Sequence, residues 1–499
     1  MTGGTEPDAG TPDGIGGRQG TGACAAPAGQ LYVRPDGDVR VCVLNERSLG
    51  NIEQVRLLDL WRGDRRAQML EALRQHDYSI GCTTCRNEIA AEGRTGSYAE
   101  NFDWLSPDGI VGGVPEWPVV LHLNLSISCN LQCIQCNGTQ SSSIRIHRER
   151  RPALEVPFTD EFFDDLGEFM SHADLVRFSG GEPFLGAEFF RAFDLLAEVA
   201  PATECIVITN ATQWNDRVVG AINSLKMGFV LSIDAATKET YESIRVGASF
   251  DEVMVNAVRL REHARAAGTH CSVNFCLMAQ NAHEFPQLLQ WAESLDLHVD
   301  VSVVREPPHC SIASLPQKRT QEIYELLRDH DVEMESTLRL NLTTWRDELE
   351  RIRTWATCPP EELVHLIGIS EHMVLGFKCE GDGPHDDTEA RLTLEAFAPG
   401  RPVVRVTVDR FQHIASVSPE VSEVFELRPE ELLGQPAQKF RELLEARHGT
   451  FEQYRVVSES SDRSDASFTI GGRDAWLVLV AQRDERGWAD TGDILICTR

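Results

Sequence analysis

Three features of the sequence predict an α/β protein with a smaller domain on each side. The centre alternates short apolar segments with helical ones, a cysteine-rich stretch precedes it, and a strand-rich segment follows it. Strands alternating with helices imply a parallel sheet with right-handed crossovers. The apolar runs fall at Val119–Leu125, Leu175–Phe178, Cys205–Ile208, Phe229–Ile233, Ser272–Leu277 and Val299–Val304. Helical spacing lies between them at Phe158–Met170, Phe189–Val199, Lys238–Ile244, Phe250–Ala267 and Glu284–Leu295. The core is therefore expected over residues 118–310.

The flanks follow from composition. Residues 1–23 are rich in Gly, Thr, Pro and Asp and bury too little apolar surface to order, so a disordered tail is expected there. Residues 24–103 form a compact module. In it Leu31–Val33 and Val39–Val41 flank Pro35-Asp36-Gly37-Asp38, a hairpin signal, and helical spacing follows from Leu57 to Leu73. Residues 316–400 open with a polar helical stretch from Gln317 to about Ile352, which is expected to fold back on the core, and break at Cys358-Pro359-Pro360. An acidic loop begins at Glu380. Residues 403–499 read as α+β. Strands are expected at Val404–Val408, Ile414–Val417, Ala475–Ala481 and Ile494–Ile496, with short helices after Ser418.

The 499 residues exceed one ordinary core. The formal net charge of −30 repels phosphate backbones, so no nucleic-acid partner is expected. No apolar run is long enough to span a membrane, and the start lacks a basic region followed by an apolar core, so no secretory signal is expected. Fourteen cysteines in that setting point to a cytoplasmic location and to metal or catalytic roles rather than disulfides.

The stretch Leu121–Thr139, LHLNLSISCNLQCIQCNGT, carries Cys129, Cys133 and Cys136 as C-x3-C-x2-C. Thiolates this close suit a soft metal centre. Three are one short of the set that closes a cluster or a structural zinc site, so one iron of a cluster held here would stay open to a small ligand. Zinc, or reduced thiols that are merely neighbours, is the alternative. The spacing resembles the signature of the radical S-adenosylmethionine (SAM) superfamily, although Gln135 stands where that family usually has an aromatic residue. The resemblance implies a partial (βα)6 radical SAM barrel. It also implies a [4Fe–4S] cluster whose open iron is chelated by the amino and carboxylate groups of SAM, and reductive cleavage to a 5′-deoxyadenosyl radical.

Active sites of such sheets lie at the carboxyl ends of the strands, and further motifs fall there. Ser179-Gly180-Gly181-Glu182-Pro183 resembles the family's GGE motif, which implies that Gly180, Gly181 and Glu182 hold the methionyl amino group. Thr209-Asn210-Ala211-Thr212 follows the third strand, where Asn210 would lie near the ribose and carboxylate or cap the next helix. The block Ser232-Ile233-Asp234, followed by TKETYESIR, implies that Ser232 and Asp234 face the ribose hydroxyls and that Arg245 pairs with the SAM carboxylate. For Asp234 a helix cap, and for Arg245 a solvated face, are the alternatives. Leu277 and Met278 are candidates to pack on adenine or in the core. After the sixth strand, within Arg305–Cys310, Cys310 is a candidate catalytic hydrogen-atom donor, an extra ligand or a bystander. Cys205, Cys271 and Cys276 are expected in the core.

Upstream, Cys24, Cys42, Cys82 and Cys85 stand as C-x12-G-x4-C followed by C-x2-C, with LGNI and LLDLW between them. This resembles the SPASM/twitch module in its shorter form and implies a second, auxiliary [4Fe–4S] cluster; the same ligands would satisfy zinc. The wording ASVSPEVSEVFELRPEELLGQ resembles a PAS domain, a module for small-ligand binding, dimerisation or partner docking. Together these imply a radical SAM enzyme acting on a peptide or small-molecule natural-product intermediate by dehydrogenation, epimerisation or cross-linking. A flavodoxin- or ferredoxin-type electron donor is implied with it. A non-enzymatic iron–sulfur sensor signalling through the PAS-like domain is the competing class.

Overall fold

The computed structural model describes residues 24–92, 97–105, 115–304, 310–315, 317–357, 403–409, 414–433, 435, 440, 443–444, 447–448, 452–460, 463–470, 473–483 and 489–498. The expected N-terminal tail, the 305–309 segment, the break at Cys358 and the acidic loop lie outside them.

Nine strands form one sheet: β1 (Gln30–Val33), β2 (Asp38–Arg40), β3 (Gly50–Asn51), β4 (Val120–Leu123), β5 (Leu175–Phe178), β6 (Glu204–Thr209), β7 (Lys226–Ser232), β8 (Cys271–Leu277) and β9 (His298–Val303). Their order is β3-β2-β1-β4-β5-β6-β7-β8-β9. Strands β4 to β9 run parallel in chain order, each reached through a helical crossover, as the alternating pattern predicts. The cysteine-rich module joins the same sheet. Its β1 pairs in parallel with β4, Gln30 opposite Val120 and Val33 opposite Leu123, and β2 and β3 continue antiparallel. The hairpin turn needs Gly37, whose φ of +77° is favoured only for glycine.

Alternation along each strand decides what faces where. Leu31, Leu121, Val176, Val207, Phe229, Val273 and Val299 are fully buried under the outer helices. Each of these side chains contributes about 1.5–3 kcal/mol by leaving water. The helix Asp160–His172 starts two residues later than its apolar spacing suggests, because Thr159 is its N-cap and accepts from the Phe162 amide. The alternate residues, among them His122, Arg177, Ile206, Ser232, Asn274, Cys276 and Ser302, take the opposite, inner face of the sheet. The helices Gln317–Arg328, Asp331–Thr337 and Leu342–Thr357 fold back on the core. Trp345 stacks on Phe285, and Asn341 pairs with the Val299 amide and the Leu297 carbonyl.

The C-terminal strands β10 (Val404–Asp409), β11 (Ile414–Val417), β12 (Glu452–Ser460), β13 (Arg463–Ile470), β14 (Arg473–Arg483) and β15 (Ala489–Thr498) form a second, antiparallel sheet. Its order is β11-β10-β15-β14-β13-β12. Short helices, Glu420–Phe425 and Pro429–Leu432, fall between β11 and β12. Strands β12 and β13 are not among the sequence expectations: EQYRVVSES and RSDASFTI are too polar to read as strands.

Candidate functional site: two cysteine centres joined by one sheet

The loop after β4 carries Cys129, Cys133 and Cys136, all free thiols. It is braced on two sides. The Gln132 and Ile134 amides donate to the Val246 and Ile244 carbonyls, and Arg148 donates to the carbonyls of Cys133 and Cys136. The Ser142 hydroxyl receives the Cys129 amide at 3.1 Å. Neither Ser142 nor Arg148 is among the sequence candidates; the polar run QSSSIRIHRER just beyond the cysteines was their only signal. Burial pushes the Cys133 thiol up to about 12, against the pull of Arg245, and Cys136 up to about 11. Protonated thiols of this kind must release protons when they bind a metal.

Gly180 and Gly181 lie against the segment leading to this loop. The Gly181 and Glu182 amides donate to the Ser126 and Ser128 carbonyls. A Cβ on Gly180, at φ +130°, would overlap Asn124 Oδ1, and one on Gly181 would overlap the Ser128 carbonyl. The glycines thus let two backbones touch. Glu182 is fully buried and turns inward, accepting from the Thr209 hydroxyl at 2.7 Å, the Asn210 amide at 2.7 Å and the Phe184 amide at 3.1 Å. Burial raises it to about 7, against those donors. Its carboxylate fastens the end of β6 to the turn after β5. Asn210 reaches the cysteine loop, donating to Asn130 Oδ1 at 3.2 Å with Cys129 Sγ at 3.9 Å.

Asp234 and Arg245 form a buried pair, 0% and 6% exposed, with Nη2 to Oδ2 at 2.7 Å. Neither is a solvated surface group. Asp234 also accepts from Gln135 Nε2 at 2.7 Å and from the Cys276 amide at 2.8 Å. Gln135 therefore ties the cysteine loop to the end of β7. The Asp234 carboxylate holds Arg245 well above its usual range even though burial opposes it. Ser232 ends β7 on the interior face opposite Asn274. Leu277 belongs to the main core, whereas Met278 packs with Ile244, Val304 and Cys310 in a small apolar cluster. Cys310 is fully buried there. Cys205 is core as expected, and Cys271 packs against the core, but Cys276 is only partly buried at the cysteine-loop end of β8.

The second centre is closed. Cys24, Cys42, Cys82 and Cys85 are all buried and line one pocket with Val41, Leu73, Tyr78 and Phe102. Asn45 Nδ2 donates to Cys82 Sγ at 3.1 Å. Burial, and then the neighbouring Cys24, push Cys42 up to about 12. Among the described residues no three His, Cys, Asp or Glu side chains gather tightly enough for one metal ion.

A mostly parallel sheet with a three-thiol loop at its strand ends, joined to a closed four-thiol module, is the arrangement that an iron–sulfur site of the radical SAM type requires. The sequence agrees: residues 123–292 match the radical SAM superfamily, and residues 24–86 match the SPASM iron–sulfur cluster-binding domain. Among curated proteins, an AdoMet-dependent heme synthase of Methanosarcina barkeri is 24% identical over 183 residues, 36% of this chain and 48% of that one. A GTP 3′,8-cyclase of Haemophilus influenzae is 25% identical over 187 residues, 35% of this chain and 49% of that one. The chain thus spans about half the length of the curated relatives it matches. Among solved structures, Streptococcus suis SuiB bound to precursor peptide SuiA aligns at TM-score 0.33 and 16% identity, over 47% of this chain and 52% of that one. AdoMet-bound anSMEcpe aligns at TM-score 0.33 and 18% identity, over 44% and 62%.

These domains imply a [4Fe–4S] cluster with SAM at the core and an auxiliary iron–sulfur cluster at the SPASM domain. The residues present fit both groups. Arg245 keeps a buried Nε with no hydrogen-bond partner, a donor suited to a carboxylate, and the Tyr241 hydroxyl beside it is likewise buried and unpartnered. The thiol sets suit iron and sulfide by their chemistry.

Proposed function

We propose that this chain is a radical SAM enzyme that abstracts hydrogen from a peptide or natural-product intermediate, ending in dehydrogenation, epimerisation or cross-linking. The single observation that carries the reading is the meeting of three free thiols with the unpartnered Nε of Arg245 at the strand ends. Cys129, Cys133 and Cys136 would hold the SAM-binding cluster, and Cys24, Cys42, Cys82 and Cys85 the auxiliary one, in the twitch-like form. When bound, the reduced cluster supplies one-electron cleavage of SAM to a 5′-deoxyadenosyl radical.

The chain's own residues do the rest. Arg245, aimed by Asp234, receives the SAM carboxylate. The backbone at Gly180–Glu182 offers groups to the methionyl ammonium, with Glu182 holding that turn to β6. Asn210 sets the Cys129 side of the loop, and Ser232 would face a ribose hydroxyl, while Asp234, both of its oxygens engaged, acts through Arg245. Among the described residues Cys276 and Cys310 are the thiols near this end that neither set uses, and Cys310 stays a candidate hydrogen-atom donor. A flavodoxin- or ferredoxin-type protein would supply electrons. The C-terminal domain is read as a PAS-like docking or dimerisation module, supported by its α+β makeup and the short helices between β11 and β12.

The test is anaerobic reconstitution with iron and sulfide, then SAM and dithionite. 5′-Deoxyadenosine should form, and Cys133→Ala should abolish it. Zinc at the central trio, or a reconstituted cluster that leaves SAM intact, would overturn the reading.

A further inference from the structure

Arg177 stands on β5 with its side chain on the interior face of the sheet. Pairing register puts it beside His122 on β4 and Ile206 on β6, with Tyr32 and Gly228 one strand further out on either side. It is partly buried on that face. Among the described residues Arg177 makes no hydrogen bond, ion pair or cation–π contact. A desolvated cation without a partner is costly, and burial does hold this one below its usual range.

The neighbours explain why nothing in the chain satisfies it. His122 is buried, bonded to the Ser179 hydroxyl at 2.6 Å, and pushed down to about 3 by burial and by Arg177 itself, so it is neutral. Asp300, whose charge Arg177 does feel, is engaged by His298 at 3.4 Å. The other cations on this face are already matched: Arg245 with Asp234 at 2.7 Å, and Lys226 with Glu204 at 3.5 Å. Arg177 is thus the one uncompensated interior cation among the described residues.

We propose that Arg177 anchors the substrate through a carboxylate, so that this enzyme acts on carboxylic acids held by one end inside the barrel. A planar guanidinium matches a carboxylate with two parallel hydrogen bonds. One unpaired cation, with Asp300 at the edge of the site, balances a single negative charge, which favours a carboxylate over a phosphate dianion. The inference rests on the reading that the barrel interior is the reaction chamber.

The test uses anaerobically reconstituted holoprotein and three probes: hippurate with one carboxylate, its uncharged amide hippuramide, and phenyl phosphate. Phenylglyoxal labelling followed by peptide mass mapping reads Arg177 directly, and calorimetry gives Kd. Hippurate should slow Arg177 labelling and bind about tenfold or more tighter than hippuramide. Arg177→Gln should erase that preference, and Arg177→Lys should restore part of it. Equal binding of acid and amide, a preference that survives Arg177→Gln, a stronger preference for phenyl phosphate, or labelling that no probe slows would overturn the proposal. 5′-Deoxyadenosine formation by the same wild-type preparation tests the cluster assignment alone, so the two failures are separable.

Discussion

The two cysteine centres use the same ligand and differ in what encloses it. In the SPASM region four thiols are buried and face one another across a pocket with apolar walls. In the loop after β4 Cys129 and Cys136 are only partly buried, the third thiol is Cys133, and the nearby unsatisfied group is a cation. Closed coordination holds structure and moves electrons; an incomplete set beside an unpartnered donor invites a ligand. The same element therefore does different work according to how many side chains finish the shell.

The sharpest way to break this contrast is to remove one thiol from each centre. Cys133→Ala should abolish SAM cleavage and lower the iron and sulfide content by one cluster, as read by metal analysis. Cys85→Ala, deep in the closed pocket, should lower iron content and also the thermal midpoint. If both variants behaved alike in stability and in iron content, the distinction between open and closed centres would fail. Next in size is the Asp234–Arg245 pair. Asp234→Ala leaves a buried guanidinium uncompensated and should cost about 3–5 kcal/mol in unfolding by denaturant. Arg245→Gln should weaken SAM binding about tenfold or more in calorimetry while iron content holds.

Smaller still is Gly180→Ala, which forces a side chain into a positive-φ position against Asn124 and should cost about 1–3 kcal/mol. A further prediction is a pH effect at Glu182. Its carboxyl sits at about 7 when folded and near 4.5 when free, so the folded state binds the proton more tightly. Stability from this group is present below about pH 4.5, is lost as pH rises toward about 7, and is flat beyond. Glu182→Gln should remove that dependence, so the difference between wild-type and variant midpoints should change across this window and be constant above about pH 7.

Much of this was legible from residue order. Six parallel strands follow from apolar runs that alternate with helices, and the motifs fall at strand ends because loops there converge. Glu182, Asn210, Asp234 and Arg245 were readable as polar groups at those ends, though not that Glu182 turns inward or that Gln135 would bond Asp234. The parallel pairing of β1 with β4 leaves no local mark, since it joins segments far apart in the chain. Arg148 and Ser142 act on the cysteine loop through backbone groups, and such contacts have no motif. Arg177 did carry a signal: a lone charge inside LVRF, a segment that otherwise reads as buried strand. Strands β12 and β13 escaped because their sequences are largely polar.

The ladder between β1 and β4 has a mechanical consequence. Because the hairpin bearing the first thiol set is stitched to the strand that feeds the second, no hinge separates them along that seam. An electron passing from one centre to the other would cross a gap fixed by backbone geometry, and opening that gap would mean unzipping the sheet.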